Sequence, residues 1–450
     1  MKGVRLLLLS AVAFLSSCSD NEYVNVIPSK CMALMSVDMQ QLGAGENGGA
    51  DGKALLKKLF GADAAAPTGV DYKSKLYLFE AKDGNMGLVA RLESESDFDK
   101  LVSVLASKGK CTAAKKRADM SFSLFDGSWL VAYKGHSLMV LGPITPAAQA
   151  ESERTIAGYF KQDDDQSIVF SPLYSRLDSI GSPIAFVAQA QALPDKFVAP
   201  FTIGAPKEAD ASQVMIAAGV SIADKMLTIN GTTYSDDKSI DKALKTSHSK
   251  FRPLKADALG GFDSDNAMGL FMDVNGRDFL PMLQQNKGIQ TLLVGLNMAI
   301  DMDNIVRSVD GPLTIGIAGL GTDDMGLSMT ARLANADWLK DVGYWKKSCP
   351  AGASITDAGP NAFCYKSGQT SFCFGVSPSL YFYSGADLQT AQANAAKKQS
   401  ALPAAIQQQI VGKRMAMLLN IKAMTAGQSG TMALAKSVLG NVDYVLYVMK

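Results

Sequence analysis

The sequence predicts an α+β protein, internally duplicated, with largely antiparallel sheets and helices packed on one face. Three observations lead there. Apolar and polar residues alternate in short runs, as in Phe122-Ser123-Leu124 and Trp129 to Tyr133, the pattern of a strand with one buried face. Strong turn signals separate the runs, Asp126-Gly127 among them, where residues that tolerate positive φ can close a two-residue hairpin. The third is a repeat: Asp38 falls against Asp273, Arg91 against Arg332 and Cys111 against Cys349, at nearly the same separation and among elements in the same order.

Each half opens on a strand, Ala33 to Val37 and Met268 to Met272, followed by a helix, Lys53 to Phe60 and near Ile289 to Ile300. A hairpin comes next, turned by Asp83-Gly84-Asn85 or by Gly321-Thr322-Asp323-Asp324. A helix follows an Arg-Leu pair. Asp97 to Leu101 reads as its first turn in the first half, with an acidic residue at the positive end of the helix dipole. Further strands lead to a polar, Ala-rich helical segment, Thr145 to Phe160 and Asp387 to Ile410. The first half then adds strands turned by Ala223-Asp224-Lys225, whereas the second has no counterpart to Met226–Ser235. Its last strand is therefore expected either to lack a hairpin partner or to have its edge filled by another element. The polar stretch from Ser249 to Ala256, with Arg252-Pro253, marks the boundary, giving repeat halves at 27–250 and 251–450.

Ahead of the repeats stands a different kind of segment. Lys2 and Arg5 precede an apolar run from Leu6 to Leu15, which ends in Ser16-Ser17-Cys18. The run falls short of the roughly 20 residues a membrane-spanning helix needs and has the length of a signal-peptide core. The order Leu15-Ser16-Ser17-Cys18 resembles a bacterial lipobox, in which the Cys18 thiolate accepts a lipid. The sequence thus predicts a lipoprotein signal peptide at 1–17 and a lipidated tether at 18–26. Multiple acyl chains on one cysteine would hold the body firmly to a membrane, because each buried methylene contributes about 0.8 kcal/mol. The acidic Ser19-Asp20-Asn21-Glu22 behind it resembles the export signal of surface-displayed Bacteroidetes lipoproteins, and reads equally as a solvated tether. The expected location is the cell envelope, lipid-anchored at the outer membrane.

Hydrophobic residues make up 47% of the chain, enough for a large core. The formal charge is +1 and becomes −1 without Lys2 and Arg5, so no electrostatic footprint for nucleic acid exists. Of the cysteines after Cys18, Cys31, Cys111, Cys349, Cys364 and Cys373, none has the paired spacing of a zinc knuckle. A turn near Ser367 to Thr370 would set Cys364 opposite Cys373. They read as two small buried thiols or as a cross-strand disulfide.

Reactive motifs are few. His136 and His248 lack ligand-spaced companions and read as surface residues. Asn47 to Ala54 imitates a phosphate loop but lacks its first glycine and the Ser or Thr that would hold magnesium. Asp263 to Asn266 and Asp301 to Asn304 begin like calcium loops, without the turn glycine and closing glutamate. Ser239 and Lys242 have a Ser-x-x-Lys spacing that reads as a helix-surface pair. Asp38 and Asp273, ending equivalent strands, are either a duplicated acid–base pair or helix caps. No cofactor is implied.

The lipobox, the Val26-Ile27-Pro28 lead into Cys31 to Leu42 and the Asp-Phe or Asp-Trp helix after Arg-Leu resemble a family of uncharacterised Bacteroidales lipoproteins, large domains of unknown function. The resemblance implies an envelope lipoprotein and brings no catalytic residues. The function expected is a non-catalytic scaffold or binding protein whose partners are the membrane, through its anchor, and a protein or glycan. The alternatives are an envelope or polymer hydrolase using Asp38 and Asp273, and a carrier of apolar ligands.

Overall fold

The computed structural model describes residues 22–43, 68–117, 119–193, 195–286, 300–319, 326–368, 370–397, 399–425 and 442–449. The leader and Cys18 lie outside them, as do the phosphate-loop-like stretch, the Lys53–Phe60 segment, the turn at 321–324 and all but the end of the Ile289–Ile300 segment. The fold is α+β, and the chain divides into two compact units, Met1–Ala192 and Leu193–Lys450.

The first unit holds strands β1 (Ala33–Val37), β2 (Leu76–Glu80), β3 (Met86–Arg91), β4 (Lys115–Arg117), β5 (Met120–Phe125), β6 (Trp129–Lys134), β7 (Ser137–Gly142) and β8 (Ile184–Gln189). They pair in the order β8-β1-β2-β3-β7-β6-β5-β4, antiparallel throughout. Helices α1 (Met39–Gly43), α2 (Glu95–Ser107), α3 (Gln149–Tyr159) and α4 (Pro172–Asp178) accompany them. Asp126 and Gly127 both take positive φ between β5 and β6, as the two-residue turn requires.

Helix α2 begins where Ser94 accepts a hydrogen bond from the Asp97 N–H. Its buried Phe98, Leu101, Val102 and Leu105 follow helical spacing and pack on Ala90, Val131, Tyr133 and Leu138 of the sheet. Each such side chain contributes about 1.5–3 kcal/mol on burial. The opposite face is covered too, by a 3-10 turn at Glu22–Val26, whose Tyr23 ring meets Tyr77 at 6.1 Å, and by α4, whose Tyr174 meets Tyr77 at the same distance. Helices on one face are thus corrected to helices on both. The cause is in the central strands: Leu130 to Tyr133 is buried without a break, so both sides of the sheet need a cover.

The second unit contains β9 (Met215–Ala223), β10 (Met226–Tyr234), β11 (Met268–Asn275), β12 (Val309–Ile317), β13 (Leu327–Leu333), β14 (Ala353–Gly359), β15 (Ala362–Ser367), β16 (Thr370–Val376), β17 (Tyr381–Gly385), β18 (Met415–Asn420) and β19 (Tyr444–Met449). The order β18-β11-β12-β13-β17-β16-β15-β14 matches that of the first unit strand for strand. Beyond β18 come β19, β10 and β9, with β19 and β10 parallel. The edge left open in the sequence reading is therefore filled by β10. This pairing places the β9–β10 hairpin in the second unit, so the division falls at 192/193 rather than at 250/251.

Helices of this unit are α5 (Asp195–Phe201), α6 (Lys238–His248), α7 (Gly276–Gln285), α8 (Met302–Arg307), α9 (Val342–Ser348), α10 (Leu388–Ala396), α11 (Ala404–Ile410) and α12 (Ile421–Thr425). The helix expected over 387–410 is two, α10 and α11, broken before Pro403, which cannot continue the α10 hydrogen-bond ladder. His248 ends α6 against Phe251, with ring centroids 6.4 Å apart. Burial pushes its pKa down, so it is not the linker surface residue the sequence suggested. Cys364 and Cys373 face each other across β15 and β16 and are joined by a disulfide, Cα atoms 4.0 Å apart. Cys31, Cys111 and Cys349 are free, and burial pushes the Cys31 thiol up to about 12.

Candidate functional site

Asp38 and Asp273 fall at matching places in the two repeats, Asp38 just past β1 and Asp273 within β11, and do different structural work. The Asp38 carboxylate accepts hydrogen bonds from the Gln40 and Gln41 backbone N–H groups at 3.1 and 3.0 Å, and from the Gln41 side chain at 2.9 Å. It caps α1. Asp273 is buried in β11, its Oδ1 2.5 Å from Arg252 Nε. Arg252 also bonds Asp310 Oδ1 at 2.8 Å and the Val274 carbonyl at 2.7 Å, and α7 is capped instead by Asn275. Both carboxylates thus have structural partners, a helix N-terminus for Asp38 and Arg252 for Asp273. Asp38→Ala is expected to cost about 1 kcal/mol, the worth of a cap, read as a shift in the urea denaturation midpoint. Asp273→Asn should cost more, because it strips the charge facing Arg252.

The Arg91–Asp71 pair is a second ion pair with a buried carboxylate. Arg91 Nη1 lies 2.6 Å from Asp71 Oδ2, with the carboxylate side chain 10% exposed. Asp71 also accepts from the Lys73 N–H at 2.8 Å and Ser74 Oγ at 3.0 Å. Burial pushes its carboxyl upward, but these bonds outweigh burial and hold it below the usual carboxylate value.

Two concavities among the described residues bear on function. In the first unit an open groove of about 600 Å3 runs between α2 and the β4–β5 edge, lined by Asp99, Lys100, Lys116 and Ser121 among others. Two of its charges are engaged locally: Tyr133 Oη donates to Asp99, and Lys100 Nζ bonds Asp97 at 2.8 Å.

In the second unit a more enclosed recess of about 350 Å3 lies over β12 and β13, between the end of α10 and the short helical turn Ala256–Leu259. Thr314, Thr330, Ser379, Tyr381, Asn394 and Lys397 supply its polar groups, and Asp257 stands exposed at its rim. Thr314 Oγ1 donates to the Ala258 carbonyl at 2.6 Å, fixing the floor to the turn. Lys397 Nζ donates to Asn394 Oδ1 at 2.8 Å, fixing the wall. Gly261 approaches Thr330 so closely that a Cβ there would collide with its hydroxyl. The sequence carried no local signal for this recess, because its residues come from five separate segments.

Among the described residues, no group of three or more His, Cys, Asp or Glu is placed to hold a metal ion, and no helix is long and apolar enough to cross a membrane.

A protein-family profile described as a domain of unknown function, DUF4836, matches residues 45–426. A solved structure described as crystal form IV of TP0453 is similar over 39% of this chain and 66% of that one, at 10% identity and a TM-score of 0.25. No curated protein matches the chain.

Proposed function

The chain belongs to that DUF4836 family of domains of unknown function, and from this premise we propose that it is a lipid-anchored binding protein of the cell envelope without a catalytic role. The observation that carries the reading is the contrast between its carboxylates and its recess. Asp38 and Asp273 are spent on a cap and an ion pair, while the second sheet holds an enclosed polar concavity with a fixed floor and wall. Ligand sites are concavities of this kind with a few placed polar groups. The two units arose by duplication of one eight-stranded plan, a reading supported by the matching strand order. After duplication one copy was free to diverge toward a ligand.

Anchoring is assigned to Cys18, in the outer membrane, on the strength of the basic head, the Leu6–Leu15 core and the Leu-Ser-Ser-Cys order. Cys18→Ser is expected to move the protein from the membrane to the soluble fraction of lysed cells, followed by immunoblot after carbonate extraction. Retention in the membrane by the serine variant would refute anchoring through this thiol.

A further inference from the structure

We propose that the recess of the second unit is a subsite for a neutral sugar, one or two rings in size. This rests on the binding-protein reading and adds to it the chemistry of the ligand.

Register shows that the recess is not a by-product of the fold. In the first unit, Ser36 of β1 faces Tyr77 of β2, and Tyr77 faces Val89 of β3. In the second, Phe271 of β11 faces Thr314 of β12, and Thr314 faces Thr330 of β13. Ser36 and Phe271 each stand two residues before the matched aspartates, Asp38 and Asp273, so Thr314 occupies the place of Tyr77 and Thr330 that of Val89. In the first unit these positions are filled: Tyr77 is 4% exposed, Val89 is fully buried, and Tyr23 packs above. In the second, two small hydroxyl side chains stand in their place; both are buried, Thr314 donating to the Ala258 carbonyl, and they form the floor of the recess. An apolar floor suits this sheet, as the first unit demonstrates. The Thr330 hydroxyl suits a polar occupant.

The charges around the recess select among polar occupants. Helix α10 presents its C-terminal end, Asn394 to Lys397, to the cavity. That end carries the negative pole of the helix dipole, and the lining adds one carboxylate, Asp257, and one ammonium, Lys397, so opposite charges offset one another and the recess favours neither an anion nor a cation. An apolar ligand would strip water from Thr330, Ser379 and Asn394 without replacing their hydrogen bonds. A sugar hydroxyl both donates and accepts, and the recess offers both complements. Asp257 and Asn394 Oδ1 accept, while Asn394 Nδ2, with no partner among the described residues, donates. The Tyr381 ring supplies a wall for the apolar face of a sugar ring. A volume of about 350 Å3 lies at the small end of ligand sites, which limits the occupant to one or two rings.

The test is saturation-transfer NMR on the full chain with glucose, galactose, mannose and N-acetylglucosamine, and with disaccharides of each. At least one is expected to bind, and Thr330→Val, which gives this sheet the side chain its counterpart already carries, should weaken it about tenfold. The substitution is close to isosteric, so an unchanged melting temperature will certify the fold. Asn394→Ala should weaken the same sugar and leave the other sugars unbound. Binding of no sugar overturns the proposal, and so does binding that Thr330→Val leaves intact. Native mass spectrometry of the purified chain separates the two readings: a retained lipid or peptide overturns the sugar assignment while leaving a binding protein, whereas a mass matching bound hexose supports both.

Discussion

Trp338→Ala will destabilise the second unit by about 4 kcal/mol, the cost of a large buried aromatic truncated in a core that cannot collapse around the gap. Trp338 is fully buried, stacked on Trp345 with ring centroids 5.9 Å apart, and edge-on to Phe382 at 6.0 Å. Phe374 closes the cluster at 6.2 Å. Three rings therefore lose a partner at once, and aromatic pairs are worth about 0.5–1.5 kcal/mol beyond their buried area. Trp338→Phe should cost far less. It leaves a ring in place and also removes an indole N–H that has no hydrogen-bond partner among the described residues, so part of the lost packing is offset by removal of a buried orphan donor. Urea denaturation followed by circular dichroism checks both. A phenylalanine variant as unstable as the alanine variant would show that the indole N–H is satisfied after all.

Asp71→Ala is expected to destabilise the first unit by about 2–3 kcal/mol. Removing one member of a buried pair leaves the other charge uncompensated, at about 3–5 kcal/mol when burial is complete, and the partial exposure of Arg91, 25% by side chain, reduces the figure. The folded carboxyl titrates below its ordinary value of 3.8. A depressed acid binds fewer protons folded than unfolded, so its contribution is fully present above that value and is lost as pH falls through the folded pKa. The wild-type chain should therefore lose more stability than Asp71→Asn does as pH falls below 3.8, measured as denaturation midpoint against pH. His248, whose folded pKa lies below 6.5 because burial disfavours its charged form, adds a second loss in the same direction, beginning as pH drops through 6.5.

Much of the architecture was legible before any coordinates. Asp126-Gly127 announced its hairpin because the turn demands positive φ at both positions, and Asp and Gly tolerate it. Asp224-Lys225 meets the same demand with positive φ at both residues. The matched motifs around Asp38 and Asp273 pointed to the same succession of elements along the chain in each half, though not to how the strands pair. Three things were not legible. A parallel pairing such as β10 with β19 leaves no local mark, since its partners are far apart in sequence. Cover on both faces of the sheets follows from unbroken burial along strands such as β6, which short alternating runs disguise. The recess depends on Thr314 and Thr330 replacing a tyrosine and a valine, and that substitution has meaning only after the registers of both sheets are known.

The parallel contact between β10 and β19 also has a consequence in time. On the ribosome, β10 emerges roughly 200 residues ahead of β19, which at about 5–20 residues per second amounts to a wait on the order of 10–40 s. Throughout it the strand carries an unsatisfied row of backbone donors and acceptors along one side, the arrangement most prone to recruit a neighbouring nascent chain. Newly made protein should therefore depend on a holding chaperone for the length of that delay, and truncation before Tyr444 should make the dependence permanent.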